Sequence, residues 1–128
     1  MRSIGQTGRR PVLDDLDKAI TDYTEAIRLD PNMAVAYTNR GLTYMTNGDD
    51  ALALVDYSKA IELLDECIKT DAKFVDAYLS KAGVYSEQKK YKQSVETYRI
   101  GKNLDSVYFS NFLLPYSIAL AGNGEFDE

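Results

Sequence analysis

The sequence predicts an all-α protein, a solenoid of antiparallel helix pairs about six helices long. Tyr37-Thr38-Asn39-Arg40-Gly41-Leu42-Thr43-Tyr44 is answered 41 residues later by Tyr78-Leu79-Ser80-Lys81-Ala82-Gly83-Val84-Tyr85. A second series, Asp22-Tyr23-Thr24-Glu25-Ala26-Ile27-Arg28-Leu29, returns 34 residues on as Asp56-Tyr57-Ser58-Lys59-Ala60-Ile61-Glu62-Leu63. Repeats of this length are supersecondary units that cannot bury their apolar faces alone and so stack on neighbours. Within both units the spacing is helical: Ala19, Tyr23, Ala26 and Ile27 fall at i, i+4, i+7 and i+8, as do Tyr37, Gly41, Tyr44 and Met45.

The first helix is expected from about Leu13 to Leu29, with Asp14, Asp15 and Asp17 suited to its N-terminus and Pro31 closing it. A second runs from about Ala34 to Asn47, where Gly48 can take the left-handed conformation that ends a helix. Asp49 is placed to cap the third, which reads unbroken from Asp50 to Lys69 with Asp65 and Lys69 as an i, i+4 pair. The fourth spans about Phe74 to Glu87 and the fifth Tyr91 to Leu104. Short connections make successive helices antiparallel. The segment from Ser106 to Gly122 is apolar on nearly every side and carries Pro115, so its helix is kinked there or begins close by.

Composition excludes several classes of function. A net charge of −5 argues against a phosphate-binding surface, so nucleic acid is not an expected partner. No apolar run approaches the ~18 residues that span a bilayer, and none follows the basic opening segment, so membrane insertion is not expected and the default location is cytoplasmic. With no histidine, one cysteine, no glycine-rich phosphate loop and no metal-ligand spacing, neither an enzyme, a cofactor nor a metal site is expected. Cys67, in register with Ala53, Tyr57, Ala60 and Leu64, is expected at a helix interface.

These residues resemble the tetratricopeptide repeat, a 34-residue helix-turn-helix unit with the skeleton W-x2-L-G-x2-Y, A-x3-F and P. Ala19-x3-Tyr23 followed by Pro31 matches the second half of one unit, and Tyr37-x2-Arg40-Gly41-x2-Tyr44, Gly48 and Ala53-x3-Tyr57 match a full one. Tyr78-x2-Lys81-Ala82-x2-Tyr85, Tyr91, Ser94-x3-Tyr98 and Gly101 resemble another, and Gly124-Glu125-Phe126 resembles the turn into a further second helix. The resemblance implies a right-handed α-α superhelix over residues 13–128, preceded by a disordered or extended segment over 1–12. Tyr23, Tyr44, Tyr57, Tyr85 and Tyr98 are then packing residues opposite small ones.

Two departures stand out. The tyrosine motifs lie 41 residues apart, seven beyond the repeat, and Ala60-x3-Leu64 repeats Ala53-x3-Tyr57 one heptad on. The extra residues either lengthen the third helix by two turns, about 10 Å, or form a loop between 64 and 74. In the first case Glu62, Asp65 and Glu66 make an acidic, solvated projection. Secondly, the chain begins and ends out of phase with the repeat, leaving Ile20, Ile27, Phe109, Phe112 and Leu113 without obvious cover. A piece of a longer array that self-associates through its terminal helices is the expectation.

The family implies an adaptor whose first helices line a concave groove for a peptide or protein partner. Groove positions would be Val35, Thr38, Asn39, Leu42 and Met45, then Asp76, Leu79, Ser80, Gly83 and Glu87. One subgroup binds chaperone carboxyl termini through a lysine, arginine and asparagine clamp. Asn39 matches it, but Asp76 and Ser80 stand where the clamp needs lysine and arginine, so that clamp is not expected here. The competing reading is an architectural, self-assembling module without a peptide ligand.

Overall fold

The computed structural model describes residues 11–125, with side chains from residue 14 onward. In chain order the helices are α1 (Pro11–Leu29), α2 (Ala34–Thr46), α3 (Asp50–Thr70), α4 (Val75–Glu87), α5 (Tyr91–Leu104), α6 (Ser106–Phe109) and, after a 3-10 turn at Ser110–Phe112, α7 (Leu113–Gly122). No strand occurs among the described residues. Each helix packs on its neighbours in sequence, α1 on α2, α3 on both α2 and α4, and α5 on α4 and α7. The helix α1 begins two residues earlier than expected, because proline suits the first helical position, where its missing N–H would have had no partner. The rest of the segment expected to be extended, and Phe126 of the C-terminal motif, lie outside the described residues.

Two apolar clusters hold the stack. Ala53, Tyr57, Ala60 and Leu64 of α3 pack with Ala77 and Val84 of α4, flanked by Tyr37, Tyr44 and Met45. Leu79, Ala82, Val95, Tyr98, Phe109, Tyr116, Ala119 and Leu120 form the second. There Tyr98, Phe109 and Tyr116 meet edge to face, with centroids 5.2 to 6.3 Å apart, an arrangement that suits the ring quadrupoles. Phe109 is thereby buried and Phe112 half-buried, whereas Leu113 is exposed; only the last leaves the C-terminal end uncovered as expected. Ile20 and Ile27 are half-buried.

The seven additional residues lie inside α3, which is 21 residues long against 14 for α5. No loop forms. Three details differ from expectation. Cys67 is exposed, because the buried stripe continues from Leu64 to Ile68, following the 3.6-residue turn of a straight helix and not the 3.5-residue heptad. Asp65 does not pair with Lys69; it reaches Lys81 of α4 at 2.6 Å, while Lys69 pairs with Glu66. Asp49 occupies the N-cap position of α3 without a side-chain cap, its carboxylate accepting from the Asn47 amide instead. Pro115 falls in the first turn of α7, so the helix starts near it and needs no kink.

The turns that close α2, α4 and α7 share a left-handed residue: Gly48 at φ +87°, Lys89 at +62° and Gly124 at +80°. In the glycine turns an asparagine side chain donates to an acid two residues on, Asn47 to Asp49 and Asn123 to Glu125. Lysine at the middle turn carries a strain of about 1–2 kcal/mol that glycine avoids.

Candidate functional site

Helices α2, α4 and α7 line one side of the stack, and two cavities open between them. One, of about 310 Å³, lies between α2 and α4 and brings together Val35, Thr38, Ser80, Gly83 and Glu87. The other, about 210 Å³, lies between α4 and α7 and is lined by Gly83, Ser86, Glu87, Tyr98, Pro115 and Ile118. Gly83 and Glu87 belong to both, so the two cavities adjoin on α4. Gly83 keeps this junction open: a Cβ there would meet only the Tyr98 hydroxyl, at 3.8 Å.

Five of the ten positions named from the sequence thus share a cavity, and the others do not. Leu79 is buried, 3 % exposed, under Gly101, whose missing Cβ would stand 2.6 Å from Leu79 Cδ2. The same register position in the preceding repeat is Thr38, which lines the groove, and Ala60 stands there where the next repeat has Gly101. Met45 packs against the first apolar cluster. Asn39 is half-buried outside both cavities, and Leu42, on the same helix, is exposed and lines neither. Asp76 is exposed, and its carboxylate lies against the Tyr108 hydroxyl, raising that group's pKa.

The α7 side of the groove was not foreseen, since an all-round apolar segment shows no helical face. A signal does exist. Leu42, Gly83 and Ile118 each stand six residues before the left-handed residue of their turn.

The electrostatics are set by which charges are already used. Arg40 Nε and Nη2 donate to the two oxygens of Asp56 at 2.7 and 2.8 Å, a bidentate pair in which the Asp56 side chain is 3 % exposed. That contact raises the guanidinium pKa against burial, and Arg40 also lies over the Tyr37 and Tyr44 rings. Lys81 is held by Asp65 and by the Tyr85 ring. Burial, and then the Glu87 charge, pushes the Tyr98 hydroxyl up to about 12; for Tyr57, burial, Glu87 and Asp56 do the same. Both remain hydrogen-bond donors at neutral pH. No three Cys, Asp or Glu side chains among the described residues converge as metal ligands, and none of their helices is long and apolar enough to cross a membrane.

Stacked antiparallel helix pairs with an open groove define a helical repeat protein of the interaction-scaffold class. Tetratricopeptide repeat models match residues 13–48, 34–67 and 75–105, and the chain belongs to that family. It is 36 % identical over 88 residues to the Hsp70-Hsp90 organizing protein of Triticum aestivum, covering 69 % of this chain and 14 % of that protein. With human serine/threonine-protein phosphatase 5 the identity is 32 % over 84 residues, 66 % of this chain and 15 % of the other. The chain therefore spans about one seventh of the length of these curated relatives. The first TPR of Spaghetti (RPAP3) bound to an HSP90 peptide superposes with a TM-score of 0.48 at 25 % identity, over 85 % of this chain and 82 % of that one.

Proposed function

We propose that this chain is an adaptor module that holds an extended peptide segment of a protein partner along the groove crossing α2, α4 and α7. The observation that carries the reading is that the two cavities adjoin at Gly83 and Glu87. A groove of this kind offers apolar walls with a few polar groups, the usual make-up of a peptide site. Val35, Thr38, Ser80, Gly83 and Glu87 are the contact residues proposed, joined by Tyr98 and Ile118. Relatives named for organising Hsp70 and Hsp90 support a protein partner, and the cytoplasm is the compartment proposed.

Gly83→Leu tests this directly, because a Cβ at Gly83 makes only an ordinary contact with the Tyr98 hydroxyl and a longer side chain there would occupy the groove. A phage-displayed dodecapeptide library selected on the protein should yield clones whose binding is lost in Gly83→Leu while the urea midpoint does not fall. Clones indifferent to that substitution, or no enrichment at all, would end the proposal.

A further inference from the structure

We infer that the groove selects a peptide segment carrying a lysine or arginine side chain, seated on Glu87, and discriminates against an acidic one. This specifies the ligand of the groove proposed above and rests on that reading. Among the residues lining the two cavities, Glu87 is the one charged side chain, and it stands at their junction. It forms no ion pair with any described residue; Lys89 and Lys90, next in the turn, are exposed and do not reach it. Glu87 is also the last residue of α4, at the negative end of the helix dipole, where a cation is favoured and a second anion is not.

The cations at matching positions of α2 and α4 are engaged, while Lys89 and Lys90 stay in solvent in the turn. Arg40 is neutralised by Asp56 and Lys81 by Asp65, so neither is left for a carboxylate ligand. Tyr98 adds a donor to the groove. Its side chain is 2 % exposed, yet it lines the groove, and its hydroxyl has no hydrogen-bond partner among the described residues. Kept protonated by burial and by Glu87, it offers a donor beside the carboxylate, suited to a peptide carbonyl next to the basic residue. Ile118 of α7, which lines the groove and is more than half exposed, gives apolar neighbours of the cation a surface to cover.

The probes are three acetylated and amidated nonapeptide pools with the same small and apolar residues, differing only in a central lysine, glutamine or glutamate. A fourth is the glutamine pool with a free carboxyl terminus. Binding is followed by amide chemical shifts of Ser80, Gly83 and Ile118. The lysine pool should bind about tenfold tighter than the glutamate pool, and 0.5 M salt should remove most of the difference. In Glu87→Gln the preference should shrink to about twofold, and Glu87→Lys, which suits the helix end, should reverse it. Equal binding of lysine and glutamate pools, or a preference unchanged in Glu87→Gln, overturns the inference while leaving the groove as a peptide site. Tightest binding of the free-carboxylate pool overturns it in favour of terminal-carboxylate recognition. If no pool moves these amides, both the inference and the groove reading fall.

Discussion

The hairpins α2/α3 and α4/α5 share one packing plan but differ in the chemistry that holds it. In the first, Gly41 admits the Tyr57 ring and Arg40 binds Asp56 within the hairpin. In the second, Ala82 takes the place of Gly41, Gly101 admits Leu79, and Ser94 bridges the Ala82 carbonyl and the Ser86 hydroxyl. Lys81 stands where Arg40 stood, but Thr97 replaces the aspartate, so the lysine turns back to Asp65 on the preceding helix. A repeat thus conserves close approach between helices more strictly than it conserves the groups that achieve it.

The sharpest way to break this comparison is to remove the two cations. Arg40→Ala strands a carboxylate that is 3 % exposed and should lower the unfolding free energy by about 3–5 kcal/mol in urea titrations. Lys81→Ala, whose partner Asp65 is 50 % exposed, should cost less than about 1 kcal/mol. Equal losses would mean that the within-hairpin pair holds nothing special. Adding Asp56→Ala to Arg40→Ala should recover part of the deficit.

Gly41→Ala comes next. Its Cβ would lie 2.9 and 3.0 Å from Tyr57 ring carbons and 3.3 Å from the Ala53 carbonyl, a clash worth about 1–3 kcal/mol. Gly101→Ala meets the end of a leucine side chain, which can rotate, and alanine's helix preference offsets part of the strain, so its loss should be smaller. Reversal of that order in thermal melts would show Leu79 to be the more rigid neighbour.

Alkali should affect both hairpins alike. Tyr57 and Tyr98 have folded-state pKa values raised from 10.0 to about 12, so their contribution is full below pH 10 and is lost as pH rises towards 12. The urea midpoint should therefore hold steady up to about pH 10 and then fall, less steeply in Tyr98→Phe. The smallest effect expected is at Gly83, where alanine fits and should raise stability by about 0.5–1 kcal/mol through helix propensity.

Much of this is legible in the sequence. Matched tyrosines and small residues recur at offsets that only stacked helical hairpins satisfy, so the order of helices followed, and Gly48 announced its turn. What escaped the pattern depends on partners far along the chain. Leu79 turns inward only because Gly101 leaves room, and Asp65 finds Lys81 only because the longer α3 carries it there. The heptad that would put Cys67 at a helix interface does not hold beyond Leu64. Half of the candidate groove came from positions in the repeat, and the α7 half needed the turn at Gly124 as a reference point.

The longer α3 also governs which insertions the array tolerates. Seven residues return a helix to within about 20° of its starting direction, so everything beyond the insertion keeps its facing. One, two or five residues would swing Leu64 and Ile68 into solvent and turn α4 away from α2. Chain length at this junction is therefore quantised, and deletion of one whole heptad from α3 is the length change most compatible with a folded array.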